Sequence, residues 1–195
     1  MKKIFILIMM LSYIHVFAQD SLSGFNYSRN HITITGMKVL GSWGIANIGI
    51  GAAGWASSHG GANKYFYQMS TIWGVANLGV SVLGFSGAKR NLTKQLNAAD
   101  NLKAQQAIEK TFLINGSLDV LYVGAGIYLN SHGETRNNDQ LKGYGSSVIM
   151  QGIFLLLFDG TMYKLQRTNG NKLRQFLEKN SISFTGNSIG IIHGL

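Results

Sequence analysis

The chain contains no cysteine and no proline, and charged residues are scarce. The absence of Cys among its 195 residues excludes disulfides, thiolate nucleophiles and cysteine-ligated metals. Because there is no Pro, no predicted helix has to be kinked or broken by one. Asp, Glu, Lys and Arg together make up 13% of the residues, whereas Gly occurs 25 times. This length and composition fit one domain, or one bundle that carries appendages.

The few charged residues are mostly basic, and the formal net charge is +9. A basic patch on a soluble domain would suggest nucleic acid as a partner. Here the Lys and Arg residues lie between and after long apolar segments, where cations more often anchor a protein at lipid headgroups. We therefore predict the lipid bilayer as a partner, and no nucleic acid.

Two matching stripes of small and amide residues run through the apolar segments. No Asp, Glu, Lys or Arg falls between Val39 and Asn63 or between Tyr65 and Ala88. The stripes consist of Gly44, Asn47, Gly51, Gly54 and Ser58, and of Gly74, Asn77, Ser81, Gly84 and Ala88. Steps of three and four residues place each set on one face of a helix. Such small-residue faces let helices approach closely inside a bilayer, so the stripes predict helix packing within a membrane.

The hydrophobic pattern predicts an all-α fold, a bundle of four transmembrane helices. The predicted spans, at about 34–56, 66–87, 111–129 and 143–163, approach or exceed the roughly 20 residues that cross the hydrocarbon core. The predicted division of the chain is a signal peptide (1–18), an exposed lead-in (19–33), a first transmembrane hairpin (34–87), an amphipathic and basic connector (88–110), a second transmembrane hairpin (111–163) and a basic tail (164–195).

The first 18 residues have the pattern of a secretory signal peptide. Lys2 and Lys3 precede an apolar run that is too short to span comfortably, and Val16-Phe17-Ala18 offers a cleavage site before Gln19. The alternative is an uncleaved anchor. We expect an exported, multi-pass protein in the inner membrane of a Gram-negative bacterium.

A second repeat predicts that the two hairpins arose by duplication. The segment from Gly51 to Gly60 matches that from Gly124 to Gly133 at half of its positions, and both end in Ser-His-Gly. We expect spans one and two to be repeated as spans three and four, related by an axis along the membrane normal.

The connector and the tail carry weaker signals. Residues 91–110 form either a helix lying at the membrane interface or a solvated connector helix. A short hairpin is expected around Gly186-Asn187. A cleaved signal peptide would place the basic connector and tail outside, which reverses the positive-inside rule. Because the signal engages the export machinery first, we expect the tail outside.

Polar residues inside the predicted spans are the first candidates for function, because they are costly in hydrocarbon. Asn47 and Asn77 occupy matched points of the two stripes, where they either hold helices in register or line a polar site. Asp119 and Asp159 lie in the third and fourth spans. Each must face the bundle interior, pair or take up a proton. They are therefore either structural carboxyl groups bonded to Asn115, Gln151 or a Ser or Thr hydroxyl, or candidates for a proton or cation site.

His59 and His132 are weak candidates for a metal site. Duplication would make them symmetry mates at one membrane face, near Glu134 and Asp139, but their spacing matches no metal motif. As an alternative to a metal site, the two Ser-His-Gly sequences are explained as helix ends with Gly as the C-cap. No nucleophile elbow, phosphate loop or dinucleotide fingerprint is present, so we predict no enzyme activity and no cofactor.

The signal peptide, the four spans and the repeated Trp-Gly-(Ile/Val)-Ala-Asn motif, at 43–47 and 73–77, are similar to a group of uncharacterised small bacterial membrane proteins. Those proteins are described only as a domain of unknown function, and the resemblance covers roughly residues 34–163. It implies a four-helix integral membrane protein with no known activity.

Three functions are compatible with these patterns. The first is a structural or assembly component that packs with itself or with another membrane protein, because two stripes exceed what one antiparallel contact requires. The second is a small transporter or channel component that uses Asp119 and Asp159. The third, which fewer features favour, is a membrane enzyme that holds a metal at His59 and His132.

Overall fold

The computed structural model describes residues 2–180, 182–185 and 188–191, with side chains described over 22–180. Its helices and strands are α1 (Lys2–Ser57), α2 (Gly61–Asn91), α3 (Ala98–Thr135), α4 (Asp139–Lys179), β1 (Ile182–Thr185) and β2 (Ser188–Ile191). The two strands pair antiparallel, Ile182 opposite Ile191, which confirms the hairpin predicted in the tail. Gly186 and Asn187 themselves lie outside the described residues.

Local sequence sets the ends of the helices. Gly60 and Gly61 have φ values of 145° and 70°, which L side chains rarely adopt, and they turn the chain between α1 and α2. Asn97 and Asn138 are the N-caps of α3 and α4. Their side chains accept hydrogen bonds from the backbone N–H groups of Asp100 and Leu141, at 2.8 and 3.0 Å.

The helices run up and down, and α4 is central. Helix α1 packs along α2 and α3 packs along α4, while α4 also contacts α1 and α2. Within the described part of the chain, the backbones of α2 and α3 make no close contact. The two backbones are separated, although the rings of Trp73 on α2 and Tyr122 on α3 contact each other with centroids 5.2 Å apart.

One continuous stripe on each helix faces the bundle interior. On α1 the stripe begins at Asn26 and continues through Asn30, Thr33, Met37 and Leu40 to the small residues predicted from Gly44 onward. Alternating steps of three and four residues average 3.5, the repeat of helices that supercoil left-handedly around each other. The bundle is therefore one coiled-coil-like structure from residue 26 to the α1–α2 turn.

The surface of the bundle is apolar and its interior is largely polar or small. Ile50, Leu83, Leu121 and Leu157 are 68%, 76%, 65% and 69% exposed, whereas amide, hydroxyl and carboxyl side chains are buried. Large exposed apolar surfaces of this kind mark contacts with a membrane or with other proteins. Three helices, α2, α3 and α4, are long and apolar enough to cross a membrane. Four such helices were predicted, and α1 falls outside this set.

The polar segments that flank the predicted spans are not exposed as expected. The lead-in predicted at 19–33 continues α1, and its residues Asn26, Arg29 and Asn30 are 1%, 5% and 6% exposed. The connector is only 92–97, because the rest of the predicted 88–110 segment belongs to α2 and α3. The prediction of an exposed lead-in is therefore wrong for Asn26, Arg29, Asn30 and Thr33, whereas Gly24, Tyr27 and His31 are exposed.

The tail differs from the prediction for the same reason. Helix α4 continues to Lys179, and Gln166, Asn169 and Leu173 are buried on its inner face. Polar residues in a tail are typical of contact with water, but here they bond to one another between helices. The signal peptide predicted at 1–18 and its cleavage concern residues whose side chains are not described, and they stay predictions.

Candidate functional site

The two predicted stripes face each other across the α1–α2 contact. A Cβ placed on Gly74 would lie 2.8 Å from the carbonyl oxygen of Gly44 and 2.8 Å from the backbone nitrogen of Ile48. On the same face, a Cβ on Gly51 would meet the backbone of Thr71 at 2.9 Å. Ser81 and Gly84 lie opposite Gly41 and Met37, and Gly54 lies against Tyr67. The stripes thus pack within one chain, and the excess packing face that suggested an assembly role is absent.

Gln151 of α4 joins the two predicted Asn residues. Its side chain is fully buried; its Nε2 donates to Asn47 Oδ1 at 2.7 Å. Its Oε1 accepts from Trp43 Nε1 at 2.8 Å and from Asn77 Nδ2 at 3.4 Å. The Trp43 ring also stacks on Phe154, with ring centroids 4.1 Å apart. Asn47 and Asn77 therefore bond to α4 rather than to each other, and Gln151 fixes the register of three helices.

Glycines bring α3 and α4 together in the same manner. A Cβ on Gly126 would lie 2.9 Å from the carbonyl oxygen of Gly145 and 2.8 Å from the backbone nitrogen of Ile149. A Cβ on Gly152 would lie 3.0 Å from the backbone nitrogen of Val123. This close approach positions the inner face of α3 against the inner face of α4. The duplication itself stays a prediction.

The close approach of α3 and α4 brings Asp119 and Asp159 together. Asp119 is 3% exposed and Asp159 is 5% exposed. The two carboxyl groups interact with each other, and the side chain of Asn115, one turn before Asp119, interacts with Asp159. The Oδ2 atom of Asp119 is buried without a hydrogen-bond partner among the described residues. A lone pair of a buried carboxyl group is therefore open to a ligand.

The carboxyl pair opens into a cavity of about 200 Å³ between the four helices. Its walls also contain Asn77, Asn115, Trp73 and Tyr122. Among the described residues that line this cavity, none is basic. The charge of an ionised carboxyl group there has no protein counter-charge, and the cavity offers carboxyl and amide oxygens as ligands for a proton or a cation.

A second polar network fills the end of the bundle near residues 22–33, and the sequence did not predict it. Gln105 donates to the carbonyl oxygen of Gln166 at 2.7 Å, and Gln166 donates to Thr33 Oγ1 at 3.0 Å. Glu109 accepts from Arg167 at 3.0 Å and from Arg174 at 3.3 Å. The signal that could have revealed this network is the four-residue spacing of Asn101, Gln105 and Glu109, which are all buried on one face of α3.

His59 and His132 do not form a metal site among the described residues. His59 is exposed in the α1–α2 turn, and the ring of His132 stacks on Tyr128 in the last turns of α3. Glu134 forms an ion pair with Lys142, at 3.2 Å. Within the described residues, no three His, Cys, Asp or Glu side chains come together as metal ligands.

These features define an all-α bundle with a polar interior and with three helices suited to cross a membrane. The chain belongs to the Family of unknown function (DUF6992), whose model matches residues 39–160. The matched region includes Gln151 and the pair formed by Asp119 and Asp159, and it ends before the polar network around Gln166. Comparison with curated proteins and with solved structures finds no match.

Proposed function

We propose that this protein is a small transporter or channel component that binds a proton or a cation at Asp119 and Asp159. One observation supports this function most strongly: two buried carboxyl groups interact beside a cavity whose described lining includes no basic side chain. Two carboxylates in contact cannot both ionise at low dielectric unless something compensates the charge. A shared proton or a bound cation supplies that compensation.

The position of the pair favours transport over a purely structural role. We propose that α1 crosses the membrane together with α2, α3 and α4, because Val39, Ile45 and Ile50 on its outer face are more than half exposed. Both residues then lie inside the bundle, Asp119 about eight residues from the start of the span predicted at 111–129 and Asp159 toward the end of the span predicted at 143–163. Ionisable groups at such depth are typical of proton relays and ion paths. The assembly hypothesis has lost its supporting observation, because both stripes are occupied within the monomer.

Flux measurements on reconstituted protein test the proposal. Proteoliposomes containing a pH-sensitive dye would be exposed to a proton gradient, and proteoliposomes containing a Na⁺- or K⁺-sensitive dye to a gradient of that ion, with membrane potential controlled by an ionophore. We expect flux above that of empty vesicles, and its loss in Asp119→Asn and Asp159→Asn. Asp139→Asn, at an exposed carboxylate in the first turn of α4, is the matched control and should retain the flux.

Two results would refute the proposal. One is wild-type flux no greater than that of empty vesicles for protons and for both cations. The other is equal flux in the wild type and in the Asp119 and Asp159 variants, because it would separate transport from the carboxyl pair.

A further inference from the structure

Arg29 is a buried cation that has no negatively charged partner among the side chains that the structure describes. The residue is only 5% exposed. Its Nη1 donates to Asn101 Oδ1 at 2.6 Å and to the Asn101 carbonyl oxygen at 3.3 Å, and its Nη2 donates to Asn26 Oδ1. All of these acceptors are neutral, and the three bonds do not exhaust the five N–H donors of a guanidinium group. Within residues 22–180, no carboxylate forms an ion pair with Arg29.

Other arginines at this end of the bundle show what Arg29 lacks. Arg167 and Arg174 both bond to the carboxylate of Glu109. A buried charge is normally paired, because its desolvation costs several kcal/mol. Burial lowers the pKa of the Arg29 guanidinium, yet arginine remains charged in proteins. An anion that is not part of the chain would complete the site.

Arg29 lies on the wall of a cavity of about 490 Å³ between α1, α2 and α3. Lys94, Asn91 and Asn30 line the same polar end. Asp100 also lines the cavity, but its Oδ2 accepts from Asn97 Nδ2 at 2.8 Å as part of the α3 N-cap. The lining residues Arg29, Lys94 and Asp100 therefore carry a net positive charge.

Apart from Asn26, Thr33 and Thr111, the remaining wall of this cavity is apolar and leads toward the predicted third span. Its small and aliphatic residues are Gly84, Ala88, Leu96, Ala104, Ala107 and Ile108. From Asp100 to Thr111, α3 rises about 16 Å, and Thr111 begins the predicted third span. The cavity thus combines a cationic end outside the hydrocarbon with an apolar path into it.

We propose that this cavity binds the phosphate of an anionic phospholipid, with Arg29 and Lys94 as its ligands and with the acyl chains leaving between α2 and α3. Guanidinium and ammonium groups both bind phosphate, and arginine provides a bidentate fork. The space of about 490 Å³ exceeds what one inorganic phosphate fills, and the separation of the α2 and α3 backbones leaves room for an exit toward lipid. This site does not depend on the proposed function of Asp119 and Asp159.

Native mass spectrometry of the full chain in detergent tests this site. Phosphatidylglycerol, phosphatidylcholine and inorganic phosphate would be titrated separately, and the bound fraction would be measured. We expect phosphatidylglycerol to bind at least about tenfold more tightly than either alternative, because the ammonium group of phosphatidylcholine is repelled by Arg29 and Lys94 and inorganic phosphate has no acyl chains to fill the apolar path. Arg29→Gln should remove that preference.

Two further variants keep the test decisive if Arg29→Gln does not fold. Lys94→Gln removes a cation at the mouth, and Ala104→Phe fills the apolar path, while both leave the hydrogen bonds of Arg29 in place. Both should lower phosphatidylglycerol binding. Lys103→Gln, an exposed cation next to Ala104 but outside the cavity lining, should bind as the wild type does.

The outcomes separate the possible sources of phosphate. Inorganic phosphate that binds as tightly as phosphatidylglycerol would overturn the lipid assignment. Equal binding of phosphatidylglycerol and phosphatidylcholine would overturn the role of charge. Unchanged phosphatidylglycerol binding in both Lys94→Gln and Ala104→Phe would show that lipid binds elsewhere.

Discussion

Replacing Gly74 by Ala should separate α1 from α2. The new Cβ would lie 2.8 Å from the Gly44 carbonyl oxygen and 2.8 Å from the Ile48 nitrogen, closer than real Cβ atoms come to backbone. Those atoms belong to a helix backbone and cannot rotate away, so the two helices must move apart. Gly79→Ala, on the same helix, is the matched control, because a Cβ at Gly79 meets nothing within 4 Å.

The size of the effect follows from the difference between these variants. Both substitutions gain about 1 kcal/mol of helix propensity, so that contribution cancels. Overpacking costs about 1–3 kcal/mol, so Gly74→Ala should be less stable than Gly79→Ala by that amount. The separation would also strain the hydrogen bond of Asn77, one turn away, to Gln151.

Unfolding in mixed detergent and dodecyl sulfate micelles would measure this difference, with tryptophan fluorescence as the signal. Trp43 reports on the contact because it stacks on Phe154 and bonds to Gln151. Equal unfolding free energies for Gly74→Ala and Gly79→Ala would refute the close approach of α1 and α2.

Three further predictions concern the polar interior and the topology. Gln151→Leu should destabilise the bundle by about 2–4 kcal/mol, because it leaves buried amide groups without partners, whereas Gln140→Leu, at an exposed position, should change little in the same unfolding assay. Glu109→Gln should lower the free energy of unfolding by about 1–3 kcal/mol, because it removes the charge that faces two arginines. Glu134→Gln, at a more exposed ion pair, should lower it by less than about 1 kcal/mol. Equal losses of unfolding free energy would contradict this account. Single cysteines in the connector and in α4 beyond the predicted span should react with an impermeant thiol reagent in intact cells, and those at the opposite end of the bundle should not; the reverse pattern would favour the positive-inside rule over the signal peptide. Suitable exposed positions are Thr93 and Lys172 for the cysteines expected to react, and Asn63 and Gln140 for those at the opposite end.

The packing faces of the spans were predictable because small residues recur along them at helical spacing. Gly44 and Gly74 recur in matched text, and their spacing alone places them on packing faces. Asp119 and Asp159 were recognised because carboxyl groups are rare in apolar segments. Their contact was not derivable, since it depends on the register of α3 against α4, which Gly126 and Gly145 set at short range.

The polar end of the bundle was missed because hydrophobicity was used as the sign of burial. Asn26, Asn30 and Thr33 continue the stripe of α1 in steps of four and three, but amide and hydroxyl side chains resemble a solvated segment. Their burial depends on partners far along the chain. Asn26 donates to the carbonyl oxygen of Lys94 at 2.8 Å, a contact that no local pattern shows. The spacing of these residues indicates that they lie on the buried face of α1, whereas their polar composition does not.

Infrared spectroscopy of the carboxyl groups tests the central claim most directly. The protein would be studied at neutral pH in an ester-free detergent, with a bulky organic ion as the only cation. The wild type should show absorption from a protonated carboxyl group. The control Asp139→Asn should retain this absorption, and the double variant Asp119→Asn/Asp159→Asn should lose it. Addition of a cation that binds at the pair should diminish it in the wild type. Identical spectra for the wild type and the double variant would mean that the pair holds no proton, and would contradict the account.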